Sequence, residues 1–466
     1  MRFPAVITLV AAVLVVVLVV FVGLNVLQPD LPLITAAAFS LDTITPNADG
    51  AEDVTVFSYE LSDSANITLS FTAEDGQTFV YRNDLARSAG EYQVQFSGVV
   101  DGFTLPDDTY QGTIERRLMP DGAYTWLLSA HNPETDEQDE RTGQLTLREG
   151  NIPLPDILEF TFAPTTFTPN QDGLSDRITG NVFLTQPADL TVYLIGANGE
   201  EFVIPERFEQ NLMGEAGRHS FDYDGGVDQG ANPPADGTYT LIASAQDAVG
   251  QRVVRSTEIT IEEGGKPVAQ IVTQASGINV VFDSLVWNDR FTSTRETAGE
   301  LIDIPNQPES LNLSTVVMQL GDMLVFKVTV SNIGSVPVRT TGPEPGTVYT
   351  WDQNASTLGW FEEAGAWRIG IDCETAPRDY PWRWGLGNQE NLIERVDPAN
   401  GVSYYYLPAG EQVVVWGAIR MTELEVVNPQ ACWAGLIHES VAVSEFNSRV
   451  GSRQIDLVAD AGIGGN

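Results

Sequence analysis

The sequence predicts an all-β chain in which one N-terminal transmembrane helix precedes three tandem antiparallel β-sandwich domains. Three observations carry that prediction. An uncharged apolar run extends from Pro4 to Leu27, ahead of the first acidic residue, Asp30. A segment of 41 residues recurs later in the chain in one unbroken register. Beyond the apolar run, short alternating stretches are punctuated by Gly, Asn and Asp turns, and none keeps a helical period. The length of 466 residues suits about three domains of ordinary size.

Residues 1–3 are read as a short cytoplasmic end, 4–27 as the transmembrane segment and 28–38 as a linker. As a helix the apolar run would span about 36 Å at ~1.5 Å per residue, enough to cross a hydrocarbon core of about 30 Å. A removable signal peptide has an apolar core of roughly 7 to 15 residues, so this longer run reads as an uncleaved signal anchor. Ala36-Ala37-Ala38 offers small residues for cleavage but lies about ten residues past the run, farther than such sites usually fall. The amino terminus and Arg2 place the short end in the cytoplasm, which puts everything from about Gln28 onward outside a cell membrane crossed once.

Phe39 to Phe79 aligns without a gap on Phe162 to Phe202, with 13 of the 41 positions identical. Each copy continues to a second shared signature, Pro120-Asp121-Gly122-Ala123-Tyr124-Thr125 and Ala235-Asp236-Gly237-Thr238-Tyr239-Thr240. Residues 39–150 and 151–264 are therefore two copies of one domain. Asn66 to Phe71 and Asp189 to Leu194 alternate polar and apolar residues, and each leads to a turn, Glu74-Asp75-Gly76 or Ala197-Asn198-Gly199. The first copy has an extra piece from Leu105 to Met119, read as a decorated or extended hairpin.

The motifs T-P-N-x-D-G-x-x-D, x-G-x-x-F and D-G-x-Y-T together resemble the Ig-like domain of the flagellar hook-capping type. They are similar also to the gliding-motility-associated C-terminal domain. The second copy matches best, through Phe221-Asp222-Tyr223-Asp224-Gly225 and Ala245-Gln246-Asp247-Ala248-Val249-Gly250, whereas the first departs with Phe96-Ser97-Gly98 at the corresponding turn. The resemblance implies Ig-like sandwiches in an exported bacterial protein. It implies no single role, because this fold hosts many.

Residues 265–267 form the next linker, 268–460 a third domain and 461–466 a tail. Gln319 to Gly334 and Leu407 to Trp416 each combine a Gly turn with a strand, and they resemble the CARDB-like adhesion-related sandwiches of bacterial surface proteins. Residues 340–400 exceed that module, and seven of the nine tryptophans lie within the 83 residues from Trp351 to Trp433. Two readings follow. Aromatic platforms beside polar groups suit a glycan, with Trp382, Arg383, Trp384 and Asp352 as its first residues. Alternatively the Trp-rich loops form a tight lid over the sandwich, with Arg383 stacked between indoles. Cys373 and Cys432 are the two cysteines, and an exported location permits them to pair. A bond would then stabilise the fold by on the order of 4 kcal/mol through loop closure, the alternative being two unpaired buried thiols.

The repeated N-x-D-G-x-x-D places Asn47, Asp49 and Asp53, and again Asn170, Asp172 and Asp176, where side-chain oxygens around a Gly turn could gather calcium. An EF-hand register fails, because Thr45 and Val56, or Thr168 and Thr179, stand where the leading acid and closing Glu belong. The alternative is Asx-turn hydrogen bonding at a strand entry. His131, His219 and His438 fit no catalytic spacing, and neither a nucleophile elbow nor a phosphate loop occurs. With 64 acidic against 24 basic side chains, the net charge of −40 opposes binding to nucleic acid. The expected function is thus a membrane-anchored, extracytoplasmic, non-catalytic adhesion, scaffold or envelope-assembly protein. Its expected partners are the membrane and an envelope or surface protein, and no cofactor is expected apart from calcium as a candidate ion. A carbohydrate-recognition accessory is the alternative, which would make a glycan the partner of the third domain.

Overall fold

The computed structural model describes residues 10, 12–19, 31–106, 108–207, 214–274, 276–306, 313–397, 401–443 and 447–459. Residues 10 and 12–19 are helical, and the rest of the expected 4–27 span, with the 1–3 end and the 461–466 tail, lies outside the described residues. No helix among the described residues is long and apolar enough to cross a membrane. The chain beyond is all-β and gathers around three principal hydrophobic clusters, drawn from residues 33–147, 157–261 and 269–457.

In the first unit, Ile34–Phe39, Thr55–Leu61 and Gly90–Phe96 form one antiparallel sheet. Thr43–Ile44, Gln138–Leu147, Gly122–His131, Ala65–Ala73 and Thr78–Arg87 form the other. The strand Thr55–Leu61 alternates strictly, burying Phe57, Tyr59 and Leu61 between the sheets. Phe71 and Phe96 stack there at 4.6 Å, and Trp126 meets Phe57 edge-on at 5.3 Å. The first strand starts inside the expected 28–38 linker. Ile34 is fully buried opposite Leu61, so apolar burial draws the linker's end into the sheet.

The second unit repeats these strands, the first three at the offset of the 41-residue alignment and the last two at a smaller one. Ile157–Ala163, Thr166–Phe167 and Ile178–Leu184 match the first three strands, and Gly237–Gln246 and Arg252–Ile261 match the last two. In both copies the tyrosine of D-G-x-Y-T closes back on the chain. Tyr124 donates to the Pro120 carbonyl at 2.5 Å and Tyr239 to that of Ala235 at 2.7 Å, the tyrosine-corner contact of Ig-like sandwiches.

The copies are not separate at residue 150. A hairpin of the first copy, Val99–Asp101 with Thr113–Leu118, extends the second unit's sheet. Ile114 pairs with Val253 and Thr113 with Val254, antiparallel. Thr166–Phe167 covers the far end of the same strand at Thr260 and Ile261, which leaves its beginning open for the hairpin. An uncovered edge of this kind would expose unpaired backbone groups. Buried Gln251 seals the joint, accepting from the Leu118 amide at 3.1 Å and donating to the Ile152 carbonyl at 3.2 Å. Within the extra piece, Asp108 pairs with Arg117.

The third unit stacks two larger sheets. One contains Ala269–Val272, Met323–Asn332, Gln412–Arg420 and Val348–Thr350, with Val280–Leu285 also paired to Met323–Asn332. The other runs Val316–Gln319, Val450–Val458, Gln430–His438, Trp367–Cys373, Val338–Thr340, Ser403–Leu407, Ile393–Val396. The stretch read from sequence as an excess over the sandwich therefore supplies a central strand, Trp367–Cys373, all seven residues of which are buried. Cys373 and Cys432 face each other across Trp367–Cys373 and Gln430–His438, 4.0 Å apart at Cα, and form the disulfide.

Candidate functional site

The second copy's Asn-Asp-Gly loop lies against the third unit, and the junction is built from few side chains. Asp172 is buried, and its Oδ2 accepts the Tyr406 hydroxyl at 2.9 Å. The Asp172 carbonyl accepts from Arg339 Nε at 2.5 Å, and the same guanidinium reaches the Ala364 carbonyl and Glu363. His438 Nε2 lies 2.8 Å from the Gln171 carbonyl, and its ring stacks on Trp367 at 4.3 Å. Two glycines bring the main chains together. A Cβ on Gly365 would stand 2.1 Å from the Asp172 carbonyl carbon, and one on Gly173 2.0 Å from the Ala364 oxygen. Both also have positive φ, so each position favours glycine twice over.

Burial sets the electrostatics of this junction. Desolvation raises the Asp172 carboxyl, and it pushes Asp176 up to about 6 with the neighbouring Asp172 charge adding to it. Desolvation likewise raises the Tyr406 phenol and lowers His438 to about 4, keeping its imidazole neutral. Behind the junction, buried Glu439 is shared by two guanidinium groups, Arg383 Nη1 at 2.7 Å and Arg368 Nη1 at 3.2 Å. Arg368 also donates to the carbonyls of Thr341 and Phe361, which compensates its burial.

The two loops have the same internal wiring. Asp53 accepts from the amides of Asn47, Ala48 and Gly50, and Asp176 from those of Asp172 and Gly173. Asn47 and Asp49 accept from the amides two residues on, as do Asn170 and Asp172. These are Asx turns, with the carboxylate oxygens turned onto the backbone. Among the described residues no cluster of three or more acidic, His or Cys side chains is arranged to hold a metal ion. The loops differ in setting: Asp49 is exposed, whereas Asp172 is covered by Tyr406.

The expected glycan constellation is not assembled. Trp382 and Trp384 are 0% exposed, so neither presents a ring face to a ligand. Trp384 packs edge-on against Phe326 at 4.6 Å and Tyr349 at 4.9 Å, and its indole N–H donates to the Thr347 carbonyl. Trp382 lies against Trp351 at 4.8 Å. Nor do these rings form a lid, since they fill the space between the two sheets. Arg383 is held by Glu439 and the Tyr380 carbonyl instead of between indoles, and Asp352 sits exposed, accepting from Thr350. Trp360 differs from them at 38% exposed. It lines a groove of about 310 Å³ with Tyr404 and Tyr405, and no local pattern around these three residues sets them apart from the rest of the aromatic cluster.

No protein-family model matches the chain, and no curated protein matches it in sequence. Among solved structures it is similar to dimeric latent PorU from Porphyromonas gingivalis, at 10% identity and a TM-score of 0.19, over 92% of this chain and 34% of that one. The chain thus spans about a third of that protein's length. It is similar also to a structure concerned with host cell surface retention of a 1.5-MDa bacterial ice-binding adhesin, at 11% identity and a TM-score of 0.18, over 84% of this chain and 99% of that one. A segment of two fibronectin type III domains from chicken tenascin matches at 10% identity and a TM-score of 0.15, over 48% of this chain and 97% of that one. At such scores these likenesses decide neither the arrangement of the units nor a function.

Proposed function

We propose that the chain is a membrane-anchored, extracytoplasmic spacer of three tandem Ig-like units, the first two of the hook-capping type, whose non-catalytic work is adhesion, scaffolding or envelope assembly. The observation that carries this reading is the way the units are joined. A hairpin of the first completes a sheet of the second, and a loop of the second is locked to the third through Asp172, Arg339 and Tyr406. Joints of this kind suit a stiff support better than a flexible string of independent modules. The apolar run from Pro4 to Leu27 supplies the anchor, and the charge of −40 keeps the exposed β-units apart from one another and from nucleic acid. No cofactor is part of this reading, in keeping with Asp53 and Asp176 using both carboxylate oxygens on backbone amides.

Protease treatment of intact cells, read with an antibody against a C-terminal tag, tests this. Loss of the tag from cells whose cytoplasmic proteins stay intact is expected. A tag that remains protected, or a mature chain lacking residues 4–27, would overturn the reading.

A further inference from the structure

We infer that the groove at Trp360 is a binding site for an uncharged saccharide. It goes beyond a spacer role and does not depend on the anchor. The groove lies in the third unit, where Gly385 and Leu386, next in the chain after buried Trp384, form part of its wall, and its volume of about 310 Å³ falls at the lower end of the roughly 300–1,000 Å³ typical of small-ligand sites. Trp360, Tyr404 and Tyr405 bring aromatic surface to it, the first exposed and the other two half-buried. Asn388, Gln389 and Glu344 add amide and carboxylate groups. Aromatic faces with hydrogen-bonding groups at their edges match the apolar face and ring of hydroxyls of a pyranose.

Charge narrows the ligand class. Among the described residues no Lys, Arg or His lines the groove; the nearby Arg339, over the Tyr404 ring at 5.4 Å, is buried and committed to Glu363 and the carbonyls of Asp172 and Ala364, so an anionic glycan would find no free counter-charge there. Of its two carboxylates, Glu363 is already paired with Arg339 at 3.1 Å. A single uncompensated Glu among amides and hydroxyls favours a neutral polyol over a cation, for which an aromatic cage with concentrated negative charge would be the better host. Gln389 donates to the Tyr405 hydroxyl at 3.3 Å, a long bond that a sugar hydroxyl can replace or extend.

The test is saturation-transfer NMR on the full chain with a panel of neutral hexoses, pentoses and N-acetylhexosamines and their disaccharides, with choline as a separate cationic probe. At least one saccharide is expected to bind, and Trp360→Ala and Tyr405→Ala are each expected to weaken it tenfold or more without changing the melting temperature. Should either variant melt early, Gln389→Ala, at an exposed position, is read in its place and a loss of threefold or more is expected. Binding of choline without any saccharide, no binding across the panel, or saccharide binding indifferent to these substitutions would each overturn the inference.

Discussion

Tyr406 donates its hydroxyl to Asp172 across 234 positions of sequence, joining a loop of the second unit to a strand of the third at 2.9 Å. Asp172 is buried, so its second oxygen depends on this donor. Removing one partner of such a bond costs more than the bond itself contributes. Tyr406→Phe is expected to destabilise the junction by about 1–3 kcal/mol. Asp172→Asn and the double variant complete a cycle, and denaturant melts should show the two losses to be non-additive. Additive losses would mean that the contact carries no coupling.

The junction should respond to pH with opposite signs through its raised carboxyls, Asp172 and Asp176, and its lowered imidazole, His438. Asp176 has a folded value of about 6, above its ordinary 3.8, so its contribution is fully present below 3.8 and is lost as pH rises through about 6. His438 has a folded value of about 4, below its ordinary 6.5, so the fold loses stability through it as pH falls from 6.5 toward 4. Between these limits, Asp176→Asn should make the slope of unfolding free energy against pH more positive, and His438→Gln should make it less so. Urea melts at several pH values measure both slopes. Equal slopes in the two variants would show that neither group titrates as its burial requires.

Calcium should leave the protein indifferent. Because Asp53 and Asp176 each accept from at least two backbone amides, a cation would have to break turn hydrogen bonds to bind. Calorimetric titration with millimolar Ca²⁺ is expected to give no heat of binding and no shift in melting. Asp53→Ala, by contrast, should destabilise the first unit by about 1–3 kcal/mol whether or not calcium is present. A calcium-dependent rise in melting that Asp53→Ala abolishes would restore the metal reading.

Reducing the disulfide, or replacing both cysteines by Ala, should cost the third unit on the order of 4 kcal/mol, given the sequence separation of 59 between Cys373 and Cys432. The first two units should be untouched, since neither contains a cysteine. Guanidinium melts with and without reductant, followed by near-ultraviolet signals from the buried tryptophans, separate the two effects.

Replacing residues 99–118 by a short turn should uncover the beginning of Arg252–Ile261 and free the first unit from the second. Small-angle scattering is expected to report a broader distribution of dimensions, and the variant should self-associate more readily through the bared edge. Unchanged scattering would show that the hairpin is not what holds the two units.

The parts of this structure legible in the sequence are those that local chemistry determines. The aligned turns and alternating strands of the two copies, and the tyrosines that bond four residues back at Tyr124 and Tyr239, depend on residues close in the chain. The Asx wiring around Asp53 and Asp176 is local as well. What stayed hidden depends on partners far away. Nothing near Thr113 announces that it will pair with Val254, and the motif holding Asp172 is the same as the one holding Asp49, although only the former meets a tyrosine. Indole content alone could not divide Trp384, buried against Phe326, from Trp360 on the surface. That division is made by which strands stack, and the stacking is a property of the whole third unit.

At Gly173 and Gly365 main chain meets main chain with nothing movable in between. A seam of that sort has no swivel. On the proposed spacer role, the two bodies it joins are expected to act as one lever, so that a pull on the far end reaches the near end as a tilt instead of being absorbed on the way.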